Sequence, residues 1–126
     1  MIEKNNIRIL SRKSNLAVIQ AQQVGKKIQE YFPSIHIEYI TKKTSGDIDL
    51  KTPLSKMERT GVFTDDLRND LIANKCDMAV HSWKDLPMVL GADTVLAGSL
   101  KRADQRDILF IKKNSIESIK KTRKIK

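Results

Sequence analysis

Apolar side chains recur along the chain with two different periods. Near the start, Ile7, Ile9 and Leu10 form a short apolar run, which predicts a strand. Over residues 15–31, Ala17, Ala21, Val24, Ile28 and Tyr31 follow at spacings of four, three, four and three. Those spacings place them on one face of a helix. Phe32-Pro33-Ser34 ends it, because proline lacks an N–H and turns the residue before it away from helix. Ile35, Ile37 and Tyr39 then alternate with His36 and Glu38, the period of a strand with one buried face. Residues 41–61 are polar and without a period, with two glycines and one proline. That predicts a long connection, of the kind that is functional or mobile. Phe63, Leu67 and Leu71, with Ile72 beside them, mark a second helix, and Asp65 and Asp66 sit in its first turn, where acidic groups suit the helix dipole. Residues 78–80 predict a third strand, and 94–100 and 108–111 two more. Asn114-Ser115-Ile116-Glu117 has the capping-box pattern that opens a short helix. Strand, helix, strand, helix, strand predicts an α/β layer architecture.

Bulk properties narrow the class. A chain of 126 residues makes one modest domain and buries roughly two-thirds of its unfolded surface. It carries 24 basic and 15 acidic residues, a net charge of +9. Five basic and no acidic residues fall in the last seven positions, so removing five charges from +9 leaves +4 for residues 1–119. The tail is either a nucleic-acid arm or a solvated segment ahead of its next strand. It lacks interleaved aromatics, which favours the second. No apolar run approaches the ~20 residues of a membrane span, and the N-terminus has no signal-type apolar stretch. The expected compartment is the cytoplasm. Cys76 is the single cysteine, which excludes an intrachain disulfide and, with two histidines, gives no metal-site spacing.

The densest group of chemically capable side chains lies at residues 79–87, Ala-Val-His-Ser-Trp-Lys-Asp-Leu-Pro. An apolar run leads in as the end of a buried strand, and Pro87 biases Leu86 away from helix. Loops just past strand ends are where open α/β sheets place ligand chemistry. Taken alone, Asp85 reads more readily as an ordinary turn aspartate ahead of a proline than as a catalytic group.

The same stretch resembles the Val-His-Ser-x-Lys-Asp-Val-Pro signature of the porphobilinogen deaminase (hydroxymethylbilane synthase) family. Ser11-Arg12-Lys13-Ser14 resembles that family's N-terminal Ser-Arg-x-Ser segment, and Leu16-Ala17 and Gln20-Ala21 follow as they do there. Thr44-Ser45-Gly46-Asp47 is similar to its Thr-x-Gly-Asp turn. Thr52-Pro53-Leu54-Ser55-Lys56 and Gly61-Val62-Phe63-Thr64 bracket a segment similar to its mobile loop. Asp104-Gln105-Arg106-Asp107 resembles its Asp-Pro-Arg-Asp. The matches keep the family's order over about residues 7–112 and correspond to the N-terminal portion of longer chains.

The resemblance implies an α/β fold of periplasmic-binding-protein-like type II, a mixed sheet flanked by helices, here truncated. Residues 1–103 would form most of domain one, and 104–126 the crossover and the start of domain two. It implies a transferase of haem and porphyrin biosynthesis, monomeric and cytoplasmic. Four porphobilinogen molecules are deaminated and joined into the linear tetrapyrrole hydroxymethylbilane. Neither nucleic acid nor membrane is an expected partner. The cofactor is a dipyrromethane, held through a thioether by a cysteine of a third domain outside this chain. The 126 residues alone are therefore expected to be inactive.

That reaction sets two physical demands. Loss of ammonia leaves a cationic, azafulvene-like ring, which a nearby carboxylate stabilises. The acid arms of the ring need cations and N–H donors. The resemblance carries the catalytic carboxylate onto Asp85. It makes Arg12, Ser14, Lys56 and Lys84 the binders of the acid arms, with Arg59 and Arg102 as secondary candidates and Arg106 near the crossover. Arg12 offers a planar fork suited to carboxylate, and Ser14 sits where the first helix begins. The plainer alternatives are Ser14 as an N-cap and the cations as solvated surface charges. Cys76 is expected to be an unreactive core residue, and His81 structural rather than part of a triad.

Some positions depart from the family. Its loop reads Gly-Gly-Lys-Gly, where this chain has Met57-Glu58-Arg59-Thr60-Gly61 and keeps only the last glycine. Fewer glycines stiffen the loop, and Arg59 becomes the candidate for the missing lysine's charge. Lys51, Leu10 and Met88-Val89-Leu90 also differ. Two other function classes stay open on the residues themselves: a non-enzymatic small-anion-binding module of the same fold, and a basic nucleic-acid binder whose affinity falls steeply with salt.

Overall fold

A computed structural model describes residues 5–48, 64–102, 112 and 116. The order of elements is β1 (Asn6–Arg12), α1 (Asn15–Tyr31), β2 (His36–Lys42), a short α2 (Ser45–Ile48), α3 (Asp65–Ile72) and β3 (Met78–Ala79), followed by a 3-10 turn at Trp83–Asp85. The strands form one sheet in the order β2-β1-β3. β1 pairs in parallel with β2, from Asn6 opposite His36 to Arg12 opposite Lys42. It pairs in parallel with β3 through Ile9 opposite Met78 and Leu10 opposite Ala79. Among the described residues the strands are all parallel. Each is reached through a helix-bearing connection rather than a hairpin, and such crossovers yield parallel neighbours.

β1 is the central strand and is buried on both faces. Successive side chains of a strand point to opposite sides, so Ile9 and Leu10 feed different cores. Ile9 packs with Ala21 and Ile37, flanked by Ile7, Val24, Ile28 and Val80, under α1. Leu10 packs with Leu67 and Cys76, flanked by Ile40, Leu71 and Ala79, under α3. Leu10, the departure noted beside the expected site, is thus a core residue. Gly25 lets α1 lie close on β2: a Cβ there would stand 2.1 Å from the Tyr39 hydroxyl oxygen.

The α1 periodicity predicts the helix but overextends its apolar face. Tyr31 is 70% exposed, and its ring lies 5.2 Å from the Lys27 ammonium, a cation–π contact one turn apart. Residues 94–100 form no strand. Val95, Leu96 and Leu100 are exposed, and no described strand offers them a ladder, so apolar spacing alone does not make a strand there. The helix α2 lies inside what the sequence predicts as an unstructured connection. The expected strand at 108–111, most of the helix opening at Asn114, and the loop with Lys56 and Arg59 lie outside the described residues. Among the described residues, no helix is long and apolar enough to cross a membrane.

Candidate active site

With strand order β2-β1-β3, the chain leaves β1 and β3 side by side at the same end of the sheet. The connection from β1 runs through α1 to β2, on the side away from β3, and the ends of open parallel strands are where such sheets hold ligands. Arg12 ends β1, the turn after it supplies Lys13 and Ser14, and the turn after β3 supplies residues 80–85. Between them lies an open pocket of about 230 Å³, whose polar lining comprises Arg12, Ser14, Gln20, Ser82, Lys84 and Asp85, with His81 beside them.

Ser14 has extended backbone geometry, and its hydroxyl accepts a 3.4 Å hydrogen bond from Ala17 N. It is therefore the N-cap of α1, as the plainer alternative expects, and it also faces the pocket. Lys13 is exposed. On the opposite wall, Asp85 N donates to Ser82 O at 3.0 Å and closes the 3-10 turn. The Ser82 hydroxyl donates to Gln20 Oε1 at 3.0 Å, which ties that turn to α1. This turn brings Asp85 inward. Its carboxylate is only 19% exposed, and its Oδ2 stands 3.6 Å from Arg12 Nη1. Lys84, one residue earlier, lines the pocket with an exposed side chain.

Arg12 is the hinge of the arrangement. Its Nε donates to Asp47 Oδ2 at 3.2 Å, and its Nη2 donates to Asp47 Oδ1. That is a fork-to-carboxylate pair. Asp47 Oδ2 also accepts from Thr44 N at 3.0 Å and from the Thr44 hydroxyl at 2.8 Å. The Arg12 guanidinium, together with these Thr44 donors, holds the Asp47 carboxyl down at about 2. Reciprocally, Asp47 raises Arg12 above its usual value, against the cost of burial. Two of three guanidinium nitrogens thus serve Asp47, and the third is turned toward Asp85.

His81 is half-buried. Burial holds its imidazole below the usual histidine range, against the opposite pull of Asp85. It is a neutral wall of the pocket near pH 7. Cys76 is buried in the α3 core, and burial pushes its thiol up, which removes the thiolate that reactivity needs.

Of the residues singled out from sequence, the fold gathers Arg12, Ser14, Lys84 and Asp85 around one pocket. Arg102 is exposed and does not line it. Lys56 and Arg59 lie outside the described residues. Two participants carry no role in the sequence analysis. Gln20 is one, signalled only as part of the Gln20-Ala21 pair that resembles the family's. Asp47 is the other, and it has a signal: Thr44-x-x-Asp47 is a capping-box spacing in which the third helical residue reaches back to the N-cap N–H.

Chemically the pocket offers a carboxylate acceptor, a hydroxyl, an exposed ammonium and one face of a guanidinium. Such a set suits an acidic ring that also carries N–H donors: the carboxylate takes the N–H, and the cations and hydroxyl take the acid arms. A dipyrromethane has these features, so the residues present fit that group.

A family model described as "Porphobilinogen deaminase, dipyromethane cofactor binding domain" matches residues 7–126. The chain is 44% identical over 104 residues to a probable porphobilinogen deaminase of Chlamydia muridarum, covering 82% of this chain and 42% of the relative. It is 41% identical over 108 residues to the porphobilinogen deaminase of Ruminiclostridium josui, covering 86% and 37%. With the porphobilinogen deaminase of Chlorobium phaeobacteroides it shares 37% identity over 123 residues, covering 97% and 39%. The chain thus spans about two-fifths of the length of the curated relatives it matches.

Proposed function

Since the chain belongs to the porphobilinogen deaminase family, we propose that it is the N-terminal substrate- and cofactor-binding part of an enzyme that makes hydroxymethylbilane. Four porphobilinogen molecules would each lose ammonia and be joined in line. In this reading residues 1–103 belong to a first domain of type II periplasmic-binding-like fold, and 104–126 lead into a second. The whole enzyme works as a cytoplasmic monomer, and its cofactor cysteine lies in another part of the family-length chain. The buried Cys76 thiol accords with that.

The observation that carries the proposal is the place of Asp85: a shielded carboxylate at the pocket, 3.6 Å from a guanidinium nitrogen and next in sequence to an exposed lysine. A carboxylate so placed accepts pyrrole N–H hydrogen bonds. It also stabilises positive charge that develops on the ring as ammonia leaves, and shielding from water strengthens that effect. Ser14 and Lys84 orient the acid arms, and Arg12 supplies a positive edge beside Asp85. The neutral His81 walls the pocket without adding charge. The dipyrromethane, when bound, supplies the pyrrole carbon to which the first incoming ring is joined.

The alternative of a plain anion-binding module is weaker on the same geometry. The pocket's shielded groups include a carboxylate side chain, and the arginine beside it is already paired with Asp47.

The test is porphobilinogen consumption by a full-length family chain carrying residues 1–126 at its N-terminus. Asp85→Asn is expected to abolish most turnover with the circular dichroism spectrum unchanged, and the 126-residue chain alone is expected to be inactive. Near-normal consumption by the Asn variant defeats the proposed role.

A further inference from the structure

We propose that Asp47 is a positioning residue, which grips Arg12 by two nitrogens so that the guanidinium cannot close over Asp85. The inference rests on the function proposed above and adds to it the group that keeps the carboxylate available. An arginine next to a carboxylate forms a two-bond fork wherever geometry allows. In this pocket that outcome would occupy one lone-pair direction on each oxygen of Asp85 and leave it a poorer, more crowded acceptor for a ring N–H. It does not occur, because Arg12 Nε and Nη2 are committed to Asp47. Only Nη1 is presented to Asp85, at 3.6 Å, longer than a hydrogen bond.

Asp47 is itself fixed. Thr44 is fully buried, and its N–H and hydroxyl both bind Asp47 Oδ2. Asp47 N donates in turn to Thr44 O at 2.9 Å. β2 ends at Lys42, and Lys13 N donates to Lys42 O at 3.0 Å. The Thr44 turn is therefore registered to the end of β1, which carries Arg12. The Thr44-Ser45-Gly46-Asp47 segment holds a neighbouring cation at a set distance from Asp85.

The experiment uses the same full-length family chain. Asp47→Asn releases the charged grip on Arg12 and lets it close on Asp85. Its kcat is expected to fall by about 10- to 100-fold, the scale of a misplacement near the chemistry, while KM for porphobilinogen changes much less. Asp47→Glu is expected to recover part of the loss. In an Arg12→Gln background the Asn substitution is expected to cost nothing further, because no guanidinium remains to be held. A second readout needs no turnover. In arginine-labelled protein, the Arg12 Nε–H resonance is expected to exchange slowly in the wild type and to be lost in Asp47→Asn. Thr44→Val, which removes one hydrogen bond by a near-isosteric change, is expected to shift kcat and that resonance in the same direction by less. It serves as the measure if the Asn variant does not fold. Wild-type kcat in the Asn variant, or an equal loss with and without Arg12, overturns the role of Asp47. A wild-type full-length chain that consumes no porphobilinogen overturns the functional proposal instead. In that case the Arg12 resonance alone still decides whether Asp47 holds the guanidinium.

Discussion

Acid stability gives a quantitative probe of the Asp47 cluster that is independent of any substrate. Substituting Asp47→Asn removes the ionisable group but keeps its shape. In the folded chain this carboxyl ionises at about 2, against an ordinary 3.8. At about 1.4 kcal/mol per pH unit, that difference corresponds to roughly 2 kcal/mol of stabilisation in the charged form. The side chain is 20% exposed, so water screens part of this, and about 1–2 kcal/mol is the expected size. The sign follows from the direction. A folded-state value below the unfolded one stabilises above the unfolded value, and the gain disappears as pH falls through the folded one. The stability gap between wild type and the Asn variant should therefore be flat from neutral pH down to about 4. It should then narrow steadily toward pH 2. Urea titrations followed by far-ultraviolet circular dichroism, at half-unit steps of pH, measure it. A gap that stays constant to pH 2, or that widens below pH 4, refutes the assignment of Asp47 as an ionised partner of Arg12.

Two further outcomes test the scaffold. Gly25→Ala should gain at most about 1 kcal/mol in helix propensity and lose more by overpacking against Tyr39, for a net destabilisation of about 1 kcal/mol. In a Tyr39→Ala background the same change should become neutral or stabilising; equal cost in both backgrounds contradicts the close approach of α1 to β2. Cys76 should react with iodoacetamide at least about tenfold more slowly in the native chain than in urea, since attack waits on opening of the core. Comparable rates would place the thiol at the surface.

The alternation through β2 and the 3.6-residue period of α1 were legible because each places apolar groups against a core that exists. Tyr31 and residues 94–100 misled for the converse reason: their spacing is right, but nothing in the described fold stands opposite them. The loop at residues 79–87 was legible as a group of polar side chains past a strand end, whereas the choice of Asp85 within it came from the family resemblance. Arg12 was legible as a charge but not in its commitment. Which carboxylate an arginine binds depends on side chains far away in sequence, and Asp47 lies 35 residues on. Only the sheet register brings them together. The same holds for Ser82 and Gln20, 62 residues apart. Pairings of this kind leave no periodic trace in the chain.

The junction between β1 and β3 has a consequence for how the pocket is maintained. Among the described residues its ladder has two residue pairs, against seven between β1 and β2. Hydrogen bonds from Val80 N to Leu10 O and from Asp77 N to Arg8 O extend it, and the Arg8–Asp77 ion pair clasps its far end. Among the described residues the wall that carries Asp85 therefore rests on a short seam, its core contacts and the Ser82–Gln20 tie to α1. Opening of the cleft is expected to cost those few contacts and to leave the broader β1–β2 ladder in place.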